Sequence, residues 1–305
     1  MKLRRRLFVF HPGRRNNVDT MRRRAPWLLP VYLVIACSIA CSTRTSPRVL
    51  PAPALPPTVT TSPSAVWTFN LTPGAAHYRI SRSAAITRSD SVGSHEVTTN
   101  ITHEVITLVP AGDSAIDFTA VIDTFSTTTQ GLIGSVQPIH IPVQLSGVFA
   151  GNSLTINSDS IDSCSPVSSA LLSDLHGILT RFPPRLSRGL FWQDSLAVSG
   201  CQAGIPTTSR TIRTYIVLGE AIYENQPVVL IQRADTIRAH GEGAQQQHRL
   251  TLEAEGTGNA VYYLDTKDGR LVRLTTDQEL SLTVRTSGKP YQFRQSSRQD
   301  FRLTP

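Results

Sequence analysis

Two His-Glu pairs are the residues whose types most suggest metal or acid–base chemistry. His95-Glu96 and His103-Glu104 lie eight positions apart in a segment that alternates like a strand. That spacing separates them by about 26 Å at ~3.3 Å per residue, too far for one metal ion. The HExxH spacing of a helical zinc site is also absent. We therefore interpret both pairs as surface residues of a strand.

The sequence contains no local motif for nucleophilic or nucleotide chemistry. The patterns GxSxG, SxxK, GxGxxG and GxxxxGK[ST] do not occur. Asp162, Asp174 and Asp194 are scattered, and their spacing neither supports nor excludes a hydrolase with paired carboxylates. Asp265–Gly269 fits a hairpin turn better than a calcium loop. We predict a non-enzymatic protein without cofactor or metal, and an exported hydrolase whose residues converge only in the fold stays an alternative.

The four cysteines divide between two regions of the chain. Cys37 and Cys41 lie in or just after an apolar segment, whereas Cys164 and Cys201 lie in the body. In an oxidising compartment the two body cysteines are expected to form a disulfide. Two free buried thiols are the alternative. A metal site is disfavoured because neither cysteine has a CxxC partner or a nearby histidine.

The segment Met21–Cys41 has the composition of an export signal. Three arginines follow Met21, and an apolar run of roughly 15 residues comes next, shorter than the ~20 residues that a membrane-spanning helix needs. A cleaved signal is therefore favoured over a permanent membrane span. Met21 suits the start of this signal, which makes residues 1–20 an N-terminal extension.

The end of this segment resembles a bacterial lipoprotein signal, in which small residues precede a cysteine that becomes lipidated. Val34–Cys37 and Ser38–Cys41 both fit, so Cys41 and Cys37 are both candidates for lipidation. Ordinary signal cleavage after Ala40 is a further alternative. The resemblance implies an exported protein of the cell envelope, facing the periplasm or the outer surface and anchored to a membrane by its N-terminal lipid.

The basic charge of the chain belongs to its N-terminal region. The net charge is +8, from 30 basic and 22 acidic residues. Residues 1–40 hold nine of the basic residues and one of the acidic residues, which leaves 21 of each in residues 41–305. A nucleic-acid-binding protein should keep a basic patch in its folded body. We therefore predict no nucleic-acid partner.

Composition divides the remaining chain into a tether and one domain. Residues 42–65 are rich in Pro, Ser and Thr, which is typical of a disordered, extended tether. From residue 66, Val, Ile, Thr, Tyr and Leu recur with period two, and Gly, Asn, Asp and Pro interrupt them. We expect one β-rich globular domain over residues 66–305.

One segment departs from this alternation and predicts a helix over about 166–182. Ser165-Pro166 is typical of a helix start, and Pro183-Pro184 ends the helical pattern. The predicted fold is therefore α+β and mostly β, with a long antiparallel curved sheet, half-barrel or sandwich-like, and one amphipathic helix packed on it. The apolar helix face could pack directly on the sheet, or it could form the wall of a cavity for an apolar ligand. Its residues are Leu171, Leu175, Ile178, Leu179 and Phe182.

Signal, tether, long strands and mid-chain helix together resemble exported bacterial lipoproteins of the LolA/LppX half-barrel kind. Other lipoproteins share a motif like Phe182-Pro183-Pro184 followed by Gly189 and Trp192, and the segment AVYYLDTKDGRLVR fits a strand–turn–strand pattern common in such sheets. The resemblance implies a non-enzymatic envelope lipoprotein that binds a lipid-like apolar ligand, or a partner, through a curved sheet. A structural or interaction lipoprotein with a fully packed core is the alternative.

Overall fold

The fold is taken from a computed structural model, which describes a defined part of the chain. The described residues are 59, 65–69, 71, 73–89, 95–111, 115–130, 143–151, 153–157, 164–202, 205–245, 248–286 and 289–305. The predicted signal, both candidate lipidation cysteines and most of the predicted tether lie outside these residues.

Strands dominate the described residues, which contain thirteen strands and one helix. Alternating side chains of apolar and polar type produce most of these strands. The strands are β1 (Val66–Thr68), β2 (Gly74–Arg88), β3 (His95–Pro110), β4 (Ala115–Gln130), β5 (Val143–Ala150), β6 (Ser153–Ile156), β7 (Arg185–Ser187), β8 (Phe191–Gln202), β9 (Ile205–Tyr223), β10 (Gln226–Gln245), β11 (His248–Asp265), β12 (Leu271–Thr286) and β13 (Lys289–Thr304), and the helix is α1 (Pro166–Ile178).

Eleven of the strands form one open antiparallel sheet. Their order is β6-β5-β4-β3-β2-β13-β12-β11-β10-β9-β8, and β1 and β7 form a separate two-stranded sheet. The large sheet thus consists of two meanders, β2–β6 and β8–β13, joined where β13 pairs with β2. The prediction of a mostly β fold with a long antiparallel curved sheet and one helix is confirmed for the described residues.

The helix lies in the connection between the two edges of the sheet. The chain leaves the sheet at edge strand β6 and returns at the opposite edge strand β8, and α1 is formed between them. The helix contacts β4 and β12, which belong to different meanders. It therefore covers the join between the two halves of the sheet.

The apolar face of α1 packs on one end of the inner sheet face. Leu171 and Leu175 are fully buried, and Gly177 lets the helix backbone approach Leu274 and Phe301. The matching sheet residues form one apolar row across seven strands of the inner face, from β9 through β13 to β2 and β3, ending at a buried threonine. Its members are Val217, Ile231, Tyr262, Leu274, Phe301, Ile80 and Thr102.

The helix ends at Ile178, four residues before the predicted end. The hydroxyl of Thr180 donates towards the carbonyl oxygens of His176 and Gly177. This hydroxyl thus competes with the backbone N–H groups that would bind the same oxygens if the helix continued. Pro183 also disfavours the helical conformation for Phe182. Residues 179–184 therefore continue as an irregular segment that keeps Leu179 and Phe182 buried.

Glycines in β10 and β11 accompany a pronounced curvature of the sheet. A Cβ at Gly256 would overlap the carbonyl oxygen of Glu279, and one at Gly241 would overlap that of Pro206. Glycine within a strand permits such close backbone approach and bending. Edge strand β8 consequently reaches back over the inner face, where Gln202 Nε2 donates to Gln295 Oε1 of β13 at 2.6 Å.

The outer face carries a smaller apolar cluster next to the N-terminal segment. Ala221, Val228 and Tyr263 are buried there, and Val59 packs against them. Val59 belongs to the predicted tether. Ala65, at the end of the predicted tether, packs against the main core, so the tether segment contacts the domain at both described positions.

No helix within the described part of the chain has the length and apolar composition needed to span a membrane.

Candidate functional site

The inner face of the sheet changes from apolar to polar along the strands. Beyond the apolar row under α1, the next inner row contains Tyr215, Arg233, Thr276 and Gln299. The row after that crosses the six strands from β8 to β13 and carries charged, amide and hydroxyl side chains. We call it the polar row, and its members are Asp194, Arg213, Asp235, Gly258, Gln278 and Ser297. The strand register alone brings these residues into one line.

A pocket of about 300 Å³ lies over the polar row. Its roof is the polar face of α1, with Ser169, Ser173 and His176, and the C-terminal half of β8 borders it with Gly200 and Cys201. Its floor comes from the inner face of β9 to β13. The volume lies at the lower end of the range of small-molecule sites.

Every charged side chain that lines this pocket is paired with an opposite charge. Arg213 donates two hydrogen bonds to Asp194, both of 2.7 Å. Arg233 binds Asp235 at 2.8 Å. Asp277 borders the pocket from β12, but its carboxylate lies on the outer face, where it binds Arg298 at 2.6 Å. The pocket lining therefore carries no net charge from these groups.

His176 adds no charge to the pocket at neutral pH. Burial lowers the pKa of its imidazole to about 4, and the nearby Arg213 guanidinium lowers it further in the same direction. The imidazole is therefore neutral over the physiological range.

Four glutamines line the pocket, and three of them have amide oxygen atoms that are already engaged. Gln278 Oε1 accepts from Ser297, Gln299 Oε1 accepts from Thr276, and Gln295 Oε1 accepts from Gln202. In this arrangement the three NH2 groups keep donor capacity. The charged groups of the pocket are thus neutralised by their partners, and the amide NH2 groups remain as hydrogen-bond donors.

Most apolar groups of the pocket lie in the next two rows of the inner face, alongside polar side chains such as Thr211 and Gln295. Ile237 and Leu280 lie there, and Leu196 and Val198 approach from β8. Ile237 and Leu280 belong to a buried cluster with Ile205, Leu252 and Leu282. A molecule in this pocket would meet hydrogen-bonding groups on one side and aliphatic groups on the other.

The five residues predicted as a wall for an apolar ligand lie in the main core instead of the larger pocket. Leu171, Leu175 and Leu179 are buried among sheet residues. Ile178 and Phe182 are also buried, and they border a second cavity of about 40 Å³. That volume is close to one water molecule's share of liquid. The larger pocket uses the opposite, polar face of the helix.

Glu104 is buried, and the interpretation of His103-Glu104 as a surface pair was wrong for this residue. His103 is exposed, but Glu104 points to the inner face and is 1% exposed. There it shares the guanidinium of Arg82 with Asp174 of the helix. The register with β4 shifts between His103 and Glu104, but the side chains of β3 still alternate between the two faces. Glu104 therefore falls on the core side. The side chains of His95 and Glu96 lie outside the described set.

The carboxylates considered for a hydrolase are not gathered into an open cleft. Asp174 is fully buried with Arg82, and Asp194 binds Arg213. Asp162 lies outside the described residues. Glu104 and Asp174 do approach the same guanidinium, but neither lines the two pockets described above. In the described ranges no three His, Cys, Asp or Glu side chains are grouped to hold a metal ion.

A disulfide joins Cys164 and Cys201, as predicted. Their Cα atoms are 4.9 Å apart, and the bond ties the residue just before α1 to the end of edge strand β8. Since Cys201 also lines the larger pocket, the disulfide holds the helical roof and the β8 border together.

The sequence pattern did not reveal the polar lining of the pocket, for a definite reason. Alternate residues Gln295, Ser297 and Gln299 of β13 face inward, but their outward neighbours Arg294 and Arg298 are polar too. Polar residues on both faces give no alternation from which a face can be assigned. The only available signal was the repetition of Gln, Ser and Thr at every second position.

Comparisons with known proteins add little to this description. No protein-family model matches the chain, and no curated protein matches its sequence. Among solved structures, a candidate exported protein with a YmcC-like fold from Bacteroides fragilis NCTC 9343 is similar at 11% identity, with a TM-score of 0.25. The match covers 79% of this chain and 100% of that one. A likeness this distant carries no argument about this chain, and the LolA/LppX resemblance stays a prediction.

Proposed function

We propose that this chain is a non-enzymatic lipoprotein of the cell envelope that binds a small amphiphilic molecule on the inner face of its curved sheet. The single observation that carries the proposal is the pocket of about 300 Å³ between the polar face of α1 and strands β8 to β13. The export signal and the candidate lipidation cysteines support the location and the anchor.

The chemistry of the lining favours an amphiphile over a purely apolar ligand. Apolar groups such as Leu196, Ile237 and Leu280 would bury a hydrocarbon portion. The amides of Gln278 and Gln299 would lose their hydration without compensation beneath hydrocarbon alone, and that loss is costly. A ligand with a hydrogen-bonding part and an apolar part satisfies both sides of the pocket.

Native mass spectrometry of the full-length protein purified from its own membrane fraction tests this proposal. We expect a mass increment beyond that of the protein and its anchor, and solvent extraction should release a molecule that carries both polar groups and a hydrocarbon portion. Recovery of ligand-free protein from gentle preparations, with no binding when amphiphiles are added back, would contradict the proposal.

One observation favours a second function, that of a structural or interaction lipoprotein. The apolar face of α1 is fully packed on the sheet, with Leu171 and Leu175 inaccessible to solvent, as a solid core requires. Such a protein would act through its surface or its edge strand β8. Affinity purification that yields a stoichiometric protein partner, together with an empty pocket, would support this function over ligand binding.

A further inference from the structure

We infer that the pocket selects an uncharged amphiphile whose head group carries hydroxyl groups. The inference rests on the proposed binding function and specifies the class of its ligand.

The charge state of the lining argues against a charged head group. The guanidinium groups of Arg213 and Arg233 are already bound to carboxylates, at 2.7 and 2.8 Å. The imidazole of His176 is neutral at physiological pH. An anionic or cationic head group would have to break one of these pairs or stay without a counter-ion, and both are costly in a partly buried site.

The hydrogen-bonding groups of the lining suit hydroxyl groups. The amides of Gln278, Gln295 and Gln299 retain donors, because their oxygen atoms already accept hydrogen bonds. A hydroxyl group both accepts and donates, so it can accept from these amides and donate to hydroxyl oxygens of the lining, such as those of Ser173 and Thr211.

The position of the apolar residues determines how the ligand is oriented in the pocket. The polar row lies nearer to the core under α1, whereas Ile237 and Leu280 lie one row further along the strands. Val198 lies one row beyond that, and Leu282 lies in the same row on β12. The head group should therefore lie on the polar row, with the hydrocarbon portion directed away from the apolar core under the helix.

Four probes with defined head groups test the selectivity. Isothermal titration of the full-length protein uses decyl glucoside, decyl phosphate, decyltrimethylammonium and free glucose, each below its critical micelle concentration where one exists. We expect decyl glucoside to bind at least ~10-fold more tightly than either charged probe, since about 1.4 kcal/mol of charge penalty gives that factor. Free glucose should bind more weakly than its alkyl derivative, because it buries no hydrocarbon.

Two variants of β13 provide the site-specific control. Gln299→Leu removes an inward amide at the pocket, whereas Gln292→Leu makes the same change at an exposed position of the same strand. We expect Gln299→Leu to weaken the binding of decyl glucoside several-fold and Gln292→Leu to leave it unchanged. Equal effects of the two variants would overturn the assignment of the head group to the inward amides of the pocket.

The outcomes separate the inference from the function on which it rests. Tighter binding of decyl phosphate or decyltrimethylammonium than of decyl glucoside, or equal binding of all three, would overturn the uncharged head group and leave the binding function standing. Failure of every alkyl probe to bind at about millimolar concentration would overturn both.

Discussion

Arg82, Glu104 and Asp174 form a buried ionic group that joins the helix to the sheet. Two carboxyl groups share one guanidinium, which also donates to the hydroxyl of Thr102 at 2.9 Å. Burial raises the pKa of Glu104 to about 7, although Arg82 and Thr102 both act to lower it. Burial likewise lowers the pKa of Arg82, to about 10, so the guanidinium stays charged at neutral pH. When Glu104 takes up a proton, the one guanidinium charge faces one remaining carboxylate, and the charges of the group balance.

Glu104 should make the free energy of unfolding depend on pH. Its pKa is about 7 in the folded state and near 4.5 in its ordinary range. Between these values the folded chain holds a proton that the unfolded chain has lost, so this contribution to stability falls as pH rises through the window. We predict that Glu104→Gln gains stability relative to the wild type on going from about pH 5 to about pH 8, by a few kcal/mol. Urea unfolding of both proteins at a series of pH values measures the difference.

The wild-type profile alone would not isolate this effect, because His176 acts in the opposite direction. Burial lowers the pKa of His176 to about 4 from 6.5, so its contribution to stability falls as pH drops through that window. His176 is present in both Glu104→Gln and the wild type, so its contribution cancels in the difference between their free energies of unfolding. Parallel pH profiles for Glu104→Gln and the wild type would show that Glu104 does not titrate as described.

At the scale of elements, Phe182 anchors the segment that follows α1. Its ring lies edge-on to Phe69 at 4.8 Å and to Tyr262 at 5.0 Å. We predict that Phe182→Ala lowers the free energy of unfolding by about 3–5 kcal/mol, because it leaves a cavity in this cluster. Phe191→Ala is the matched control, since Phe191 is 63% exposed and should change stability by less than ~0.5 kcal/mol. Similar losses in both variants, measured by urea unfolding, would contradict the packing described.

The disulfide should stabilise the link between the helix and the sheet edge. It joins residues that are 37 positions apart, and the chain-entropy model assigns such a loop roughly 3–4 kcal/mol. The double variant Cys164→Ser/Cys201→Ser should lose about that amount in guanidinium unfolding. An unchanged midpoint and slope, or two reactive thiols in the non-reduced wild-type protein, would contradict a stabilising bond.

Local sequence patterns predicted most elements but not their full extents. The Asp268-Gly269 turn is present between β11 and β12, with Gly269 at φ 70° and Asp265 Oδ1 accepting from the Lys267 amide. Strand β9 begins at Ile205, however, and its first part lacks the apolar alternation that marks a strand, because Thr207 and Ser209 take the pocket side there.

At the scale of the whole molecule, the site could not be predicted because its residues come from six strands and a helix. Register aligns Arg213 with Asp235 and Gln278 with Ser297, and curvature brings Gln202 of β8 to Gln295 of β13. Neither the register across all six strands nor the curvature that results can be read from the pattern of one strand. The disulfide was predictable because only Cys164 and Cys201 remain in the body of the chain.

The proposed anchor is also a property of the whole molecule. We predict that mass spectrometry of the mature N-terminal peptide finds a lipid-modified cysteine at Cys41 or Cys37, with the preceding residues removed. The basic N-terminal residues would be lost with the signal, which would leave the mature protein with balanced charge. An unmodified N-terminal residue after Ala40 would contradict the lipid anchor and leave the pocket unaffected.

The most direct test of ligand binding in the pocket is to fill it and measure decyl glucoside binding by calorimetry. Thr211→Phe adds an aromatic ring inside the pocket, and Ile212→Phe makes the same change at the adjacent residue on the outer face, where Ile212 is 42% exposed. Ser173→Phe blocks the pocket from the helix and checks that the effect does not come from a local folding defect in β9. We predict that both blocking variants lose at least ~10-fold in affinity, which corresponds to 1.4 kcal/mol, whereas Ile212→Phe binds like the wild type. Wild-type affinity in folded Thr211→Phe and Ser173→Phe would contradict the account.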